Sequence, residues 1–173
     1  MIAYVFVLLP IVAYLPFFFI ETWASFQRIG KKTPSSDDYL HLTWEMTHTL
    51  LIVGVNYFIW LFASIIVDVG KAVYWGLITV GALYIVRAIA YVYIYYGAGS
   101  KKKMHNGWAD WLFALTHVAI IGCLLYVVIR AAVVLMTSEY TVNTQFLPWM
   151  YPGLVFMVII CAIPLVRIYK IKR

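Results

Sequence analysis

The chain has 173 residues, of which 65% are hydrophobic, 18% aromatic and 12% charged. A typical soluble domain carries about 25% charged residues, and a chain this apolar has too little polar surface to stay dispersed in water. Disordered, disulfide-scaffold and ordinary soluble classes are excluded, which leaves an integral membrane protein. The net charge of +6 sits mainly at the ends of apolar segments, so it reads as membrane topology and not as nucleic-acid binding.

A hydrocarbon layer roughly 30 Å thick needs about 20 apolar residues of helix. The first such segment covers residues 1–26, with Pro10 and Pro16 as expected kinks, and reads as a retained span. The second covers 43–67 and the third 72–96, with Asp68-Val69-Gly70-Lys71 between them as an expected tight hairpin. The fourth, 108–136, is longer than the bilayer needs, which predicts tilt. The fifth covers 146–168, with Pro148 and Pro152 near its start. Backbone amides cannot stay unpaired in lipid, so these segments are expected to be α-helices. The period-2 alternation of a membrane barrel is absent. The expected fold is therefore a single all-α transmembrane domain over residues 1–173, a bundle of five helices. The connections are too short for a soluble domain.

Arg28, Lys31, Lys32, Lys101, Lys102, Lys103, Arg167, Lys170, Lys172 and Arg173 fall on one side of this arrangement, and only Lys71 on the other. Cytoplasmic loops concentrate Lys and Arg, so the N-terminus is expected outside and the C-terminus in the cytoplasm of a multi-pass cell-membrane protein. Lys101 to Lys103 are further expected to touch anionic lipid. Cys123 and Cys161 lie in apolar runs without metal-thiolate spacing and read as small packing residues.

Ionisable groups inside spans are costly and mark functional candidates. Here they are Glu21, Glu45, Arg87, Asp110 and Arg130, joined by His48 and His117. Arg130 and Glu21 sit toward helix ends and are expected to reach the interfaces. With the topology above, His41, Glu45 and His48 fall at the cytoplasmic end of the second helix, and Asp110 and His117 at that of the fourth. Arg87 lies at similar depth on the third. His41, Glu45 and His48 share one helical face, as do Asp110 and His117.

Three chemistries fit this pattern. A b-type haem needs two imidazoles from separate helices at one depth, which His48 and His117 supply, with Arg87 against a propionate. A metal site, iron or copper, could be drawn from His41, Glu45, His48, Asp110 and His117; Glu45-Met46-Thr47-His48 is a Glu-x-x-His pair of the kind used by di-iron bundles, without the second pair. The third is a structural or proton-carrying cluster, with Glu45 against Arg87 and each His bonded to a backbone carbonyl or a Thr. Thr47-His48 and Thr116-His117 also hint at an internal repeat, although only three of 14 aligned residues agree.

Nucleotide-binding and hydrolase motifs are absent. Five spans with histidines inside them are similar in outline to the cytochrome b membrane anchors of respiratory enzymes, a likeness of architecture alone. The sequence therefore points first to a small membrane subunit of a multi-subunit respiratory or redox complex, with a b-type haem or quinone site near the cytoplasmic face. The alternatives are a metal-dependent membrane enzyme and a transport or accessory subunit without redox role. The expected partners are membrane lipids and other membrane subunits, with no nucleic acid.

Overall fold

The computed structural model describes residues 2–29, 36–96 and 107–171, and among these there is no strand. Five helices follow in order: α1 (Ile2–Arg28), α2 (Ser36–Leu61), α3 (Ile66–Tyr96), α4 (Trp108–Thr137) and α5 (Leu147–Ile171). Short 3-10 turns at Ala63–Ile65 and Thr144–Phe146 precede α3 and α5. Among the described residues, four segments are long and apolar enough to cross a membrane: Ala3–Arg28, Ala63–Tyr96, Trp108–Thr137 and Thr144–Ile163. The apolar part of α2 is shorter, Met46–Leu61.

The break between the second and third helices is not where the sequence put it. Asp68, Gly70 and Lys71 lie inside α3, and the turn falls at Phe62–Ile65. Phe62 leaves helical geometry at φ −113°, ψ 31°. The end of α2 is held by partners far along the chain. The Asn143 amide donates to the Leu61 carbonyl at 2.9 Å. The Ser64 hydroxyl donates to the Thr141 carbonyl at 2.8 Å and accepts from the Thr141 amide at 3.2 Å. Gly70 alone costs a helix only about 1 kcal/mol. Asp68 in the first turn of α3 suits the positive end of the helix dipole.

The chain forms two compact units. The first comprises Met1–Glu21, Asp38–Ile66 and Tyr140–Arg173, and the second Thr22–Asp37 and Val67–Glu139. In the first unit, aromatic rings interlock the helices. Phe6 of α1 meets Tyr57 of α2 edge-on at 6.0 Å and Tyr151 of α5 at 5.0 Å. Tyr57 donates to the Met150 carbonyl at 3.0 Å. Gly153 makes room for that phenol, because a Cβ there would overlap the Tyr57 hydroxyl.

In the second unit α3 and α4 run antiparallel. Tyr91 faces Phe113 (ring centroids 6.2 Å), Arg87 bonds His117, and Gly76 sits under Tyr126 and Val127. Partners move up α4 as they move down α3. Close approach at the far end depends on Gly76, where an added Cβ would lie 2.7 Å from Val127 Cγ2. Gly81 has open space around it.

Candidate functional site

The polar residues gather where helix periodicity and helix ends place them. Glu21, Ser25 and Arg28 stand at i, i+4 and i+7 on α1, one face of a helix. All three are buried, as is Thr22 beside them. Arg28 was expected among the loop cations that set topology, yet its side chain is withdrawn from solvent. Its Nε donates to Asp110 Oδ1 at 2.7 Å, and its Nη1 donates to the Tyr95 hydroxyl at 2.9 Å. The guanidinium also lies over the Tyr95 ring, 4.7 Å from its centroid. Asp110 sits in the first turn of α4, where Gly107 N–H donates to its Oδ2 at 3.3 Å. One carboxylate thus caps α4 and neutralises the Arg28 guanidinium at the end of α1.

Two turns further along α4 is a second polar layer. His117 is fully buried, and its Nδ1 bonds the Phe113 carbonyl at 2.6 Å. A carbonyl only accepts, so the proton resides on Nδ1 and Nε2 carries a lone pair. Arg87 Nε donates to that Nε2 at 3.0 Å. The Arg87 guanidinium is fully buried and lies 5.3 Å from the Tyr84 ring centroid. Of the sequence candidates, Arg87 and His117 are therefore in direct contact. Asp110 belongs to the same unit but is engaged by Arg28.

His48 lies on α2 in the first unit, half-buried. Its Nδ1 bonds the Trp44 carbonyl at 2.7 Å, and its ring lies tilted by 44° against the Trp44 ring, centroids 4.7 Å apart. The side chains of His41 and Glu45 lie outside the described residues. Among the described residues no three His, Cys, Asp or Glu side chains come together to hold a metal. Cys123 and Cys161 are free thiols, and Arg130 is exposed on α4.

The Thr-His pairs repeat in geometry what they barely repeat in sequence. On α2, the Trp44 carbonyl takes both the Thr47 hydroxyl (3.0 Å) and His48 Nδ1. On α4, the Phe113 carbonyl takes both the Thr116 hydroxyl (2.8 Å) and His117 Nδ1. The Phe113 and His117 rings are 4.6 Å apart, close to the Trp44–His48 spacing. The shared unit is aromatic-x-x-Thr-His, and an identity count overlooks it because Trp and Phe do not match. Each imidazole thereby carries a proton on Nδ1, directed at the carbonyl four residues back.

Glu21 is a site residue that the sequence reading placed at an interface. It is fully buried, and its Oε2 lies 3.1 Å from Thr47 Oγ1. Its spacing from Ser25 and Arg28 was the signal that a polar helix face was present.

No family model, no curated protein and no solved structure matches this chain.

Proposed function

We propose that the chain is a five-span integral protein of the cell membrane, N-terminus outside and C-terminus cytoplasmic, that serves as a small accessory or transport subunit of a larger membrane assembly. One observation carries this reading. From Ile121 to Thr137 no residue of α4 is buried, whereas the preceding turns of the same helix hold seven buried residues, Ala109, Asp110, Phe113, Ala114, Thr116, His117 and Ile120. Apart from the contact of Tyr126 and Val127 with Gly76, this half of an apolar helix is thus left largely to lipid or to helices of other subunits. The buried polar groups of α4 are confined to the end that the basic residues assign to the cytoplasm. There Arg28, Asp110, Arg87 and His117 act as pairing groups, and His117 spends its Nε2 lone pair on Arg87. The test is to extract the tagged chain from its native membrane in mild detergent and to measure the size and composition of what it carries. Defined partner subunits at constant stoichiometry, and loss of the chain when they are deleted, are expected. A stable free-standing monomer with normal abundance in those deletions overturns the reading.

A redox subunit is the second reading, favoured by the paired aromatic-x-x-Thr-His units, in which both imidazoles bond the carbonyl four residues back through Nδ1. A haem iron on His117 would require Arg87 to release Nε2. A reduced-minus-oxidised optical spectrum of the purified protein decides between the two. A haem band that disappears in both His48→Ala and His117→Ala favours this reading. Metal analysis of the same sample, with near-stoichiometric iron or copper lost in His48→Ala, would indicate a metal enzyme.

A further inference from the structure

The described part of α2 has two faces. Leu50, Gly54, Tyr57 and Leu61 recur at i, i+4, i+7 and i+11 and are buried. Gly54 faces Pro10 and Ile11 of α1, and Tyr57 donates to the Met150 carbonyl of α5. On the opposite face Ile52, Val55 and Ile59 are 60%, 48% and 40% exposed. Asn56 is exposed among them, inside the apolar stretch Met46–Leu61. Its Nδ2 donates to the Ile52 carbonyl at 2.8 Å, and among the described residues it makes no other hydrogen bond. A carboxamide has two N–H donors and an acceptor oxygen, so one N–H and Oδ1 remain for a partner off the helix. Lipid tails offer neither a donor nor an acceptor.

We propose that Ile52, Val55, Asn56 and Ile59 form a docking stripe for a second copy of this chain, in which the two Asn56 carboxamides bond each other. The proposal rests on the reading of α2 as a membrane span. A carboxamide is its own complement: the remaining N–H of each copy meets Oδ1 of the other, giving two bonds across a two-fold axis. An axis along the membrane normal brings the same residue of both copies to one depth. Apolar contact alone does little to join spans in lipid, whereas polar side chains bonded across helices hold them together. Ile52 and Ile59 flank the amide at i−4 and i+3, the spacing of a helix–helix seam.

The full-length protein, labelled with donor or acceptor dye and reconstituted alone into phosphatidylcholine vesicles, tests this. Energy transfer is expected to persist as lipid dilutes the protein. Asn56→Leu is expected to weaken dimerisation about tenfold, and Asn56→Gln, which keeps the carboxamide, to retain it. Equal dimerisation of wild type and Asn56→Leu overturns the proposal. A chain that resists carbonate washing yet stays monomeric overturns the proposal alone; one washed off the vesicles overturns the membrane reading with it. Ile59→Cys, oxidised in the native membrane, gives an independent readout. A disulfide dimer of this chain is expected, and none from Leu77→Cys, exposed on α3 and carrying the same native thiols. Absence of that dimer, or capture of a different polypeptide in its place, overturns the proposal.

Discussion

Arg28, the last residue of α1, and Asp110, in the first turn of α4, form an ion pair 2.7 Å long whose side chains are 1% and 9% exposed. Removing one member of such a pair strands the other as a buried charge, which typically costs about 3–5 kcal/mol. Asp110→Ala is expected to lose that much in a reversible unfolding titration in mixed micelles. An apolar replacement of both, Arg28→Met with Asp110→Leu, is expected to recover most of it. A loss below about 1 kcal/mol in the single variant would mean that the pair behaves as a solvated surface bridge.

Gly76 and Gly81 lie on the same helix and predict opposite outcomes. Gly76→Ala must displace Val127, a stiff β-branched side chain, and overpacking of this kind costs about 1–3 kcal/mol. Gly81→Ala meets open space and gains helix propensity of about 1 kcal/mol. Melting temperatures of the two variants should therefore fall on either side of wild type.

Tyr57 and Gly153 are expected to be coupled. Gly153→Ala drives a methyl into the Tyr57 hydroxyl and is destabilising on its own. In the Tyr57→Phe background the obstruction is gone, so the same change should cost much less. Contacting residues show interaction energies of about 0.5–3 kcal/mol in a double-mutant cycle. A coupling near zero would refute the packing of α2 on α5 in the first unit.

Tyr140 gives an alkaline dependence. Its hydroxyl lies 2.7 Å from that of Tyr4. The Tyr140 phenol is raised above its ordinary value, first by the hydrogen bond with Tyr4, then by burial and by the charge of a Tyr4 phenolate. A raised value in the folded state means that the contribution is fully present below the unfolded value of about 10 and is lost as pH rises through the folded one. Stability measured from neutral to strongly alkaline pH should fall less steeply in Tyr140→Phe than in wild type.

Most of the helical architecture was legible from length and hydropathy, because lipid permits few alternatives to a helix. The first and fourth helices end within two residues of the expected borders at Arg28 and Thr137. The turn after α2 was misplaced because its cause is tertiary. Asn143 and Thr141 hold Leu61 and Ser64, and nothing local at Phe62–Ile65 announces a break. Within the candidate site, Asp110, Arg87 and His117 were recognised as charges inside spans. Arg28 was missed because a basic residue at the end of an apolar run usually faces headgroups. Only its phase with Glu21 and Ser25 marks it as inward-facing. Whether a histidine ring accepts from an arginine depends on the rotation of α3 against α4, which helical spacing leaves undetermined.

The Arg28–Asp110 bond joins positions 82 residues apart. At a synthesis rate of about 5–20 residues per second, the cation waits on the order of ten seconds before its partner is made. During that interval the C-terminal end of α1 has no carboxylate from α4 to pair with Arg28. The closing of this joint is thus a late event of biogenesis, ordered by translation and not by the strength of the bond.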